Sequence, residues 1–79
     1  MPFGLQIDRI TFDPSVMGGK PCIRGMRVTV GTVVGLVASG HTTDEILTAY
    51  PYLEGPDIQQ ALAYAAWRAD EIVVPLAEL

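Results

Sequence analysis

The sequence predicts a mainly α-helical domain, a three-helix bundle preceded by short N-terminal β-strands. Three observations carry this expectation. Residues 42–51 hold a full set of helix start and stop signals, and residues 56–71 line up apolar side chains on one stripe. The first 30 residues, by contrast, are cut by glycine and proline into pieces too short for helices.

In chain order, "RITF" (Arg9 to Phe12) alternates polar and apolar residues and contains β-branched Ile10 and Thr11, which predicts a short strand; Asp13-Pro14-Ser15 then signals a turn. Pro21 cannot donate to a sheet ladder, so a second short strand falls near Cys22 to Arg24, with "RVTV" as a candidate third. Gly18, Gly19 and Gly25 turn the corners between these pieces. The strands thus occupy roughly residues 9–30.

Val30, Val33, Val34 and Val37 recur at helical spacing and Ser39-Gly40 makes a helix end, which predicts a first helix over 30–39. A second follows over 43–50. There Thr42 and Glu45 form a capping box, Asp44 and Glu45 suit the positive end of the helix, and Pro51 stops the run; Ile46, Leu47 and Tyr50 face inward. The third helix, 56–71, opens with Pro56 and Asp57 and carries Ile58, Ala61, Leu62, Ala65, Ala69 and Ile72 as its inner stripe. Residues 72–79 form an apolar tail, read as docked on the domain or given to a partner as a strand. The whole chain, 1–79, is one domain, and three short helices around a small core suit a homeodomain-like, helix-turn-helix type of bundle.

Composition bounds the function. A domain of 79 residues buries only about 60% of the surface its unfolded chain exposes, yet 49% of its residues are hydrophobic, so part of the apolar surface is expected to meet another chain. No apolar run approaches the roughly 18 residues of a membrane span, and the opening "MPFGLQIDR" does not resemble a secretion signal, so the expected location is cytoplasmic with no membrane partner. One cysteine, Cys22, and one histidine, His41, are too few for a zinc cage or a disulfide. No metal or cofactor is expected.

Net charge is −4 but unevenly placed. Residues 1–30 carry Arg9, Lys20, Arg24 and Arg27 against Asp8 and Asp13, a balance of +2. The remainder sets Arg68 against Asp44, Glu45, Glu54, Asp57, Asp70, Glu71 and Glu78, a balance of −6. The segment "MGGKPCIRGMRVTV" concentrates cations among glycines, as a phosphate-binding loop does. Gly19-Lys20 is followed, however, by Pro21 where such a loop needs Ser or Thr, and its first glycine position is Pro14, so nucleotide binding is not expected. The pairs Asp44-Glu45 and Asp70-Glu71 are adjacent in sequence and diverge on a helix, and His41 has no nucleophile to activate. No catalytic constellation is present in the sequence, and the chain is expected not to be an enzyme.

The candidate contacts are therefore surface residues. Lys20, Arg24 and Arg27 stand on the glycine-cornered unit formed by Gly18, Gly19, Pro21 and Gly25, and arginine's fork matches carboxylates bidentately. Tyr64 and Trp67, three residues apart and off the inner stripe, form with Arg68 a second face on the last helix, of the composition that protein interfaces favour.

Taken in order, "I…DP…GGKPxIxGxRxxV" (Ile10 to Val30), Gly40 before the capping box, Tyr50-Pro51-x-Leu53 and "DIxxALxYA" (Asp57 to Ala65) resemble the family called domain of unknown function 433. The likeness spans about residues 7–70. Met26 stands where that family usually has threonine, and Gly55-Pro56 replaces a threonine-containing helix cap. The resemblance implies a homeodomain-like domain that dimerises, in small bacterial proteins often encoded beside a PIN-type nuclease toxin, and so a VapB-type antitoxin. Two functional readings follow. In one the chain binds and neutralises a PIN-like toxin, with Arg24, Arg27 or Arg68 reaching its acidic metal site, and regulates its own operon. In the other it is a helix-turn-helix regulator that binds operator DNA, although its pI near 4.6 opposes strong phosphate binding. A homodimer with a purely structural role is the third.

Overall fold

The computed structural model describes residues 7–71. Two short strands, β1 (Ile10–Thr11) and β2 (Cys22–Ile23), precede three helices, α1 (Val30–Ala38), α2 (Thr43–Ala49) and α3 (Gly55–Glu71). The expected helices are all present, with ends moved by one residue. The apolar tail lies outside the described residues.

β1 and β2 pair antiparallel, Ile10 opposite Ile23 and Thr11 opposite Cys22. The expected third strand is reduced to a single bridge between Cys22 and Thr29, because Thr29 already serves as the N-cap of α1 and the chain turns helical at Val30. The ten-residue connection from β1 to β2 is built of local turns. The Asp13 carboxylate accepts from the Ser15 amide at 2.9 Å and the Ser15 hydroxyl at 2.7 Å, and one turn of 3-10 helix follows over Met17–Gly19. Gly18 and Gly19 adopt φ of 68° and 85°, so the corner they were expected to turn needs left-handed backbone. Pro21 lacks a donor but contributes its carbonyl, which accepts from the Val30 amide at 2.9 Å and fastens the start of α1 to the strands.

α2 carries the capping box its sequence advertised. The Glu45 amide donates to Thr42 Oγ1 at 3.1 Å, and the Thr42 amide donates to Glu45 Oε1 at 2.8 Å. Two of the orphan amides at the helix start are thereby satisfied.

The core is a single cluster drawn from every element: Ile10, Ile23, Val28, Val30, Val33, Ile46, Leu53, Ile58, Ala61 and Tyr64. α1 lies chiefly against α3, with Val30 and Val33 buried between them and Val34 and Val37 partly so. Tyr64 is buried and Trp67 packs against the same cluster, which corrects the expectation of a separate outward face. The expected stripe holds at Ile58 and Ala61, both buried, but the buried face continues to Tyr64 rather than along Ala65 and Ala69, for a reason that lies in Asp57. No described helix is long and apolar enough to cross a membrane.

Gly35, in the interior of α1, has ordinary helical backbone, and a methyl group added there would meet nothing within 4 Å. Glycine at such a position loses more backbone freedom on folding than alanine does. Gly35→Ala is expected to stabilise the domain by about 0.5–1 kcal/mol, seen as a higher urea midpoint at unchanged slope. An unchanged or lower midpoint would contradict this reading of α1.

Candidate functional site

Asp57 is the one fully buried ionised side chain among the described residues, with 0% of its surface exposed. It sits in the first turn of α3, where the helix dipole favours a negative charge. Its Oδ2 accepts the Glu54 amide at 2.8 Å while its own amide donates to the Glu54 carbonyl at 2.9 Å. That arrangement is half of a capping box, with the third helical residue reaching back to the cap. The Glu54 side chain does not complete the box, because it is turned toward Arg9.

Two arginines from separate parts of the chain close over this carboxylate. Arg9, immediately before β1, donates from Nη1 to Oδ1 at 2.9 Å. Arg24, immediately after β2, donates from Nε to Oδ1 at 3.0 Å and from Nη2 to Oδ2 at 2.9 Å, the bidentate fork that guanidinium and carboxylate planes permit. Arg24 Nη2 also donates to the Tyr52 carbonyl at 2.8 Å, tying in the α2 to α3 connection. On the outside, Arg9 Nη1 meets Glu54 Oε1 at 2.7 Å.

The backbone at Arg24 is shaped to allow this. Arg24 and Gly25 have φ of 46° and 73°, and the Met26 amide donates to the Ile23 carbonyl at 2.8 Å, so they are the central pair of a tight turn of the kind that joins hairpin strands. A left-handed arginine is uncommon, since its Cβ crowds the following carbonyl. The Arg24 amide donates to the Arg9 carbonyl at 2.8 Å and the Gly25 amide to Thr11 Oγ1 at 2.8 Å, which holds the turn in place. Gln60, one turn along α3 from Asp57, receives the Arg9 amide on Oε1 at 2.9 Å and donates from Nε2 to Asp8 Oδ1 at 2.8 Å.

Electrostatically, burial pushes the Asp57 carboxyl up. The Arg24 and Arg9 hydrogen bonds and the Glu54 amide outweigh it and hold the group below its ordinary value. Both guanidiniums are correspondingly raised, Arg9 mainly by its bond to Glu54 and Arg24 mainly by its bond to Asp57.

The expected site residues thus divide. Arg24, expected as a free contact, is engaged by Asp57 and Tyr52. Tyr64 is core, packed at a tilt between Phe12 at 5.8 Å and Trp67 at 6.0 Å between ring centroids. The indole Nε1 of Trp67 is buried with no hydrogen-bond partner among the described residues. Lys20, Arg27 and Arg68 are exposed, and none forms an ion pair among the described residues. Of these, Arg27 lies just past the braced turn, in the loop closed by the Ile23 amide's bond to the Val28 carbonyl. Arg9 and Asp57, the residues that organise the cluster, were not foreseen: the contact spans 48 residues of sequence, and no local pattern encodes it. The half-box at Glu54 and Asp57 is the one signal that lay in the sequence.

Removing the shared acceptor should be severe. Asp57→Ala is expected to lower stability by about 3 kcal/mol, as for a buried ion pair stripped of one partner, read by urea unfolding. Because the folded-state pKa of Asp57 is depressed, its contribution is present above the unfolded value of about 3.9 and disappears as pH falls through the folded one. Stability should therefore drop steeply below about pH 4 in the natural sequence, and less steeply in Asp57→Asn. The slope left in that variant belongs to Asp13 and Glu45, whose pKa values are also lowered, mainly by hydrogen bonds from the Ser15 hydroxyl and the Thr42 amide.

Comparison with known proteins gives a consistent picture. A family model described as "Protein of unknown function (DUF433)" matches residues 10–65, a span that includes Arg24, Arg27, Asp57 and Tyr64. The uncharacterized protein y4eO of Sinorhizobium fredii is 41% identical over 56 residues, 71% of this chain and 25% of that protein. A crystal structure of a DUF433 member protein from Anabaena variabilis matches with a TM-score of 0.73 and 32% identity, covering 80% of this chain and 62% of that one. The chain spans a quarter of the first protein's length and less than two thirds of the second's. With most of its length inside the family model and its fold shared with a solved member, the chain belongs to the DUF433 family.

Proposed function

We propose that the chain is a non-enzymatic, antitoxin-like protein that binds and neutralises a PIN-type ribonuclease, with Arg27 as the side chain that reaches the ribonuclease's acidic metal site. The observation that carries this reading is the setting of Arg27. It is an exposed guanidinium, without an acidic partner among the described residues, in the short loop that follows the Arg24 turn and is pinned by the Arg24 clamp, the Gly25 to Thr11 bond and the Ile23 amide's bond to the Val28 carbonyl at 2.9 Å. A cation presented from a fixed loop loses little freedom on binding and suits a cluster of carboxylates. The choice of a PIN-type partner rests on what the resemblance read from the sequence implies, and the apolar composition supports association, including with a second copy of the chain.

Operator binding draws less support. In a helix-turn-helix the first turn of the last helix approaches the bases. In this chain that turn holds Asp57 under two arginines, with Glu54 outside it and Gln60 engaged by Arg9 and Asp8.

The test is co-expression of the product of the gene adjacent to this one, assayed for ribonuclease activity when co-purified with the natural chain and with Arg27→Ala. Co-elution and loss of ribonuclease activity are expected for the natural chain. Arg27→Ala should restore activity at least about tenfold, as for loss of a buried charged contact, at an unchanged urea midpoint. A ribonuclease that neither co-elutes nor loses activity refutes the proposal, and inhibition that survives Arg27→Ala but not Lys20→Ala or Arg68→Ala moves the contact elsewhere.

A further inference from the structure

The arginine pair over Asp57 uses only part of its donor capacity. Each guanidinium has five N–H groups. Arg9 bonds through Nη1 alone, and Arg24 through Nε and Nη2, so Arg9 Nε and Nη2 and Arg24 Nη1 have no partner among the described residues. Both side chains reach the surface, Arg9 at 27% and Arg24 at 37% exposure. The two carboxylates on them are unlike: Asp57 is wholly buried, whereas Glu54 is 59% exposed and touches Arg9 alone. Tyr52, 48% exposed and stacked edge-on with Tyr50 at 6.0 Å, stands beside Arg24.

We propose that the outer side of the Arg9 and Arg24 pair is a docking point for a carboxylate-bearing segment of a partner protein, and that Glu54 holds the position until the partner's carboxylate displaces it. This rests on the protein-binding reading above and adds to Arg27 a second contact.

The division of labour follows from burial. A solvent-exposed ion pair is weak, so the Glu54 contact exchanges readily, while the buried Asp57 does not leave. The arginines are therefore fixed before the partner arrives, and the partner meets donors already oriented for a bidentate contact. Glu54 neutralises the pair in the free protein; its departure uncovers one positive charge on an acidic molecule, which matches one incoming carboxylate. Four charges, two of each sign, make the resting cluster neutral, so docking works by exchange of one carboxylate for another rather than by a net attractive field.

The experiment is an NMR titration of the arginine Nε–H signals with a blocked tetraglutamate peptide at about 0.15 M salt, for the natural chain and for Glu54→Gln. Signals of Arg9 and Arg24 should move more than those of Arg27 and Arg68, and Glu54→Gln should tighten binding by about threefold, the worth of one exposed pair. The proposal is overturned if all four arginines respond equally, if Glu54→Gln binds no more tightly, or if a DNA duplex moves the same signals at lower concentration than the peptide. No ribonuclease is present, so this result stands or falls apart from the inhibition assay.

Discussion

The carboxylate of Asp57 is the point on which the domain closes. Without it the chain is three helices plus a hairpin of two-residue strands, and a two-stranded ribbon of that length does not hold by itself. Asp57 draws the residue before β1, the residue after β2 and the α2 to α3 connection onto the first turn of α3. The desolvation penalty of a buried carboxylate is met by four N–H groups, from Arg9, the Arg24 Nε and Nη2, and the Glu54 amide, all within 3.3 Å. Because the donors come from three separate parts of the chain, Arg9, Arg24 and Glu54, the group fixes geometry as well as contributing stability. The left-handed Arg24 is the counterpart of that fixation, tolerated because its fork, its amide and the next amide are all bonded.

How much of this was legible in the sequence depended on range. α2 was readable to within a residue because its signals, Thr42, Glu45 and Pro51, lie within one another's reach along the chain. α1 was readable because its valines repeat at helical spacing and Val30 and Val33 do point inward. The clasp was not readable, since Asp57 is 33 residues from Arg24 and 48 from Arg9, and a sequence shows charge without showing who meets it.

The same blindness rotated the last helix. Its buried face runs through Asp57, Ile58, Ala61 and Tyr64, centred on the i, i+4, i+7 line of Asp57, Ala61 and Tyr64. A stripe of apolar residues alone leaves out Asp57 and runs through Ile58, Ala61, Leu62, Ala65, Ala69 and Ile72; Ile58 and Ala61 are buried as expected, but Ala69 is exposed, Leu62 and Ala65 are only half-buried, and Ile72 lies outside the described residues. Tyr64 was then displaced to an imagined outer face. One buried polar residue, left out of an apolar stripe, was enough to skew the expected face of a 17-residue helix beyond its first two turns. The Gly55-Pro56 opening had a related effect, since it hid that the cap is Glu54 and that Asp57 completes it from inside.

Charge summed along a segment is likewise not charge on a surface. Residues 1–30 hold an excess of two positive charges, but Arg9 and Arg24 are both consumed by Asp57 and Glu54 from the far end of the chain. What that segment leaves unpaired with them is Lys20 and Arg27 against Asp8 and Asp13, a balance of zero. The apparent basic half is therefore a set of isolated cations on an acidic protein. Nucleic-acid affinity scales with the number of phosphates neutralised together, and isolated cations supply few. A protein partner asks for something else, one or two guanidiniums held in fixed positions, and the clasp provides them: it removes Arg24 from the free charges while bracing the turn just before Arg27.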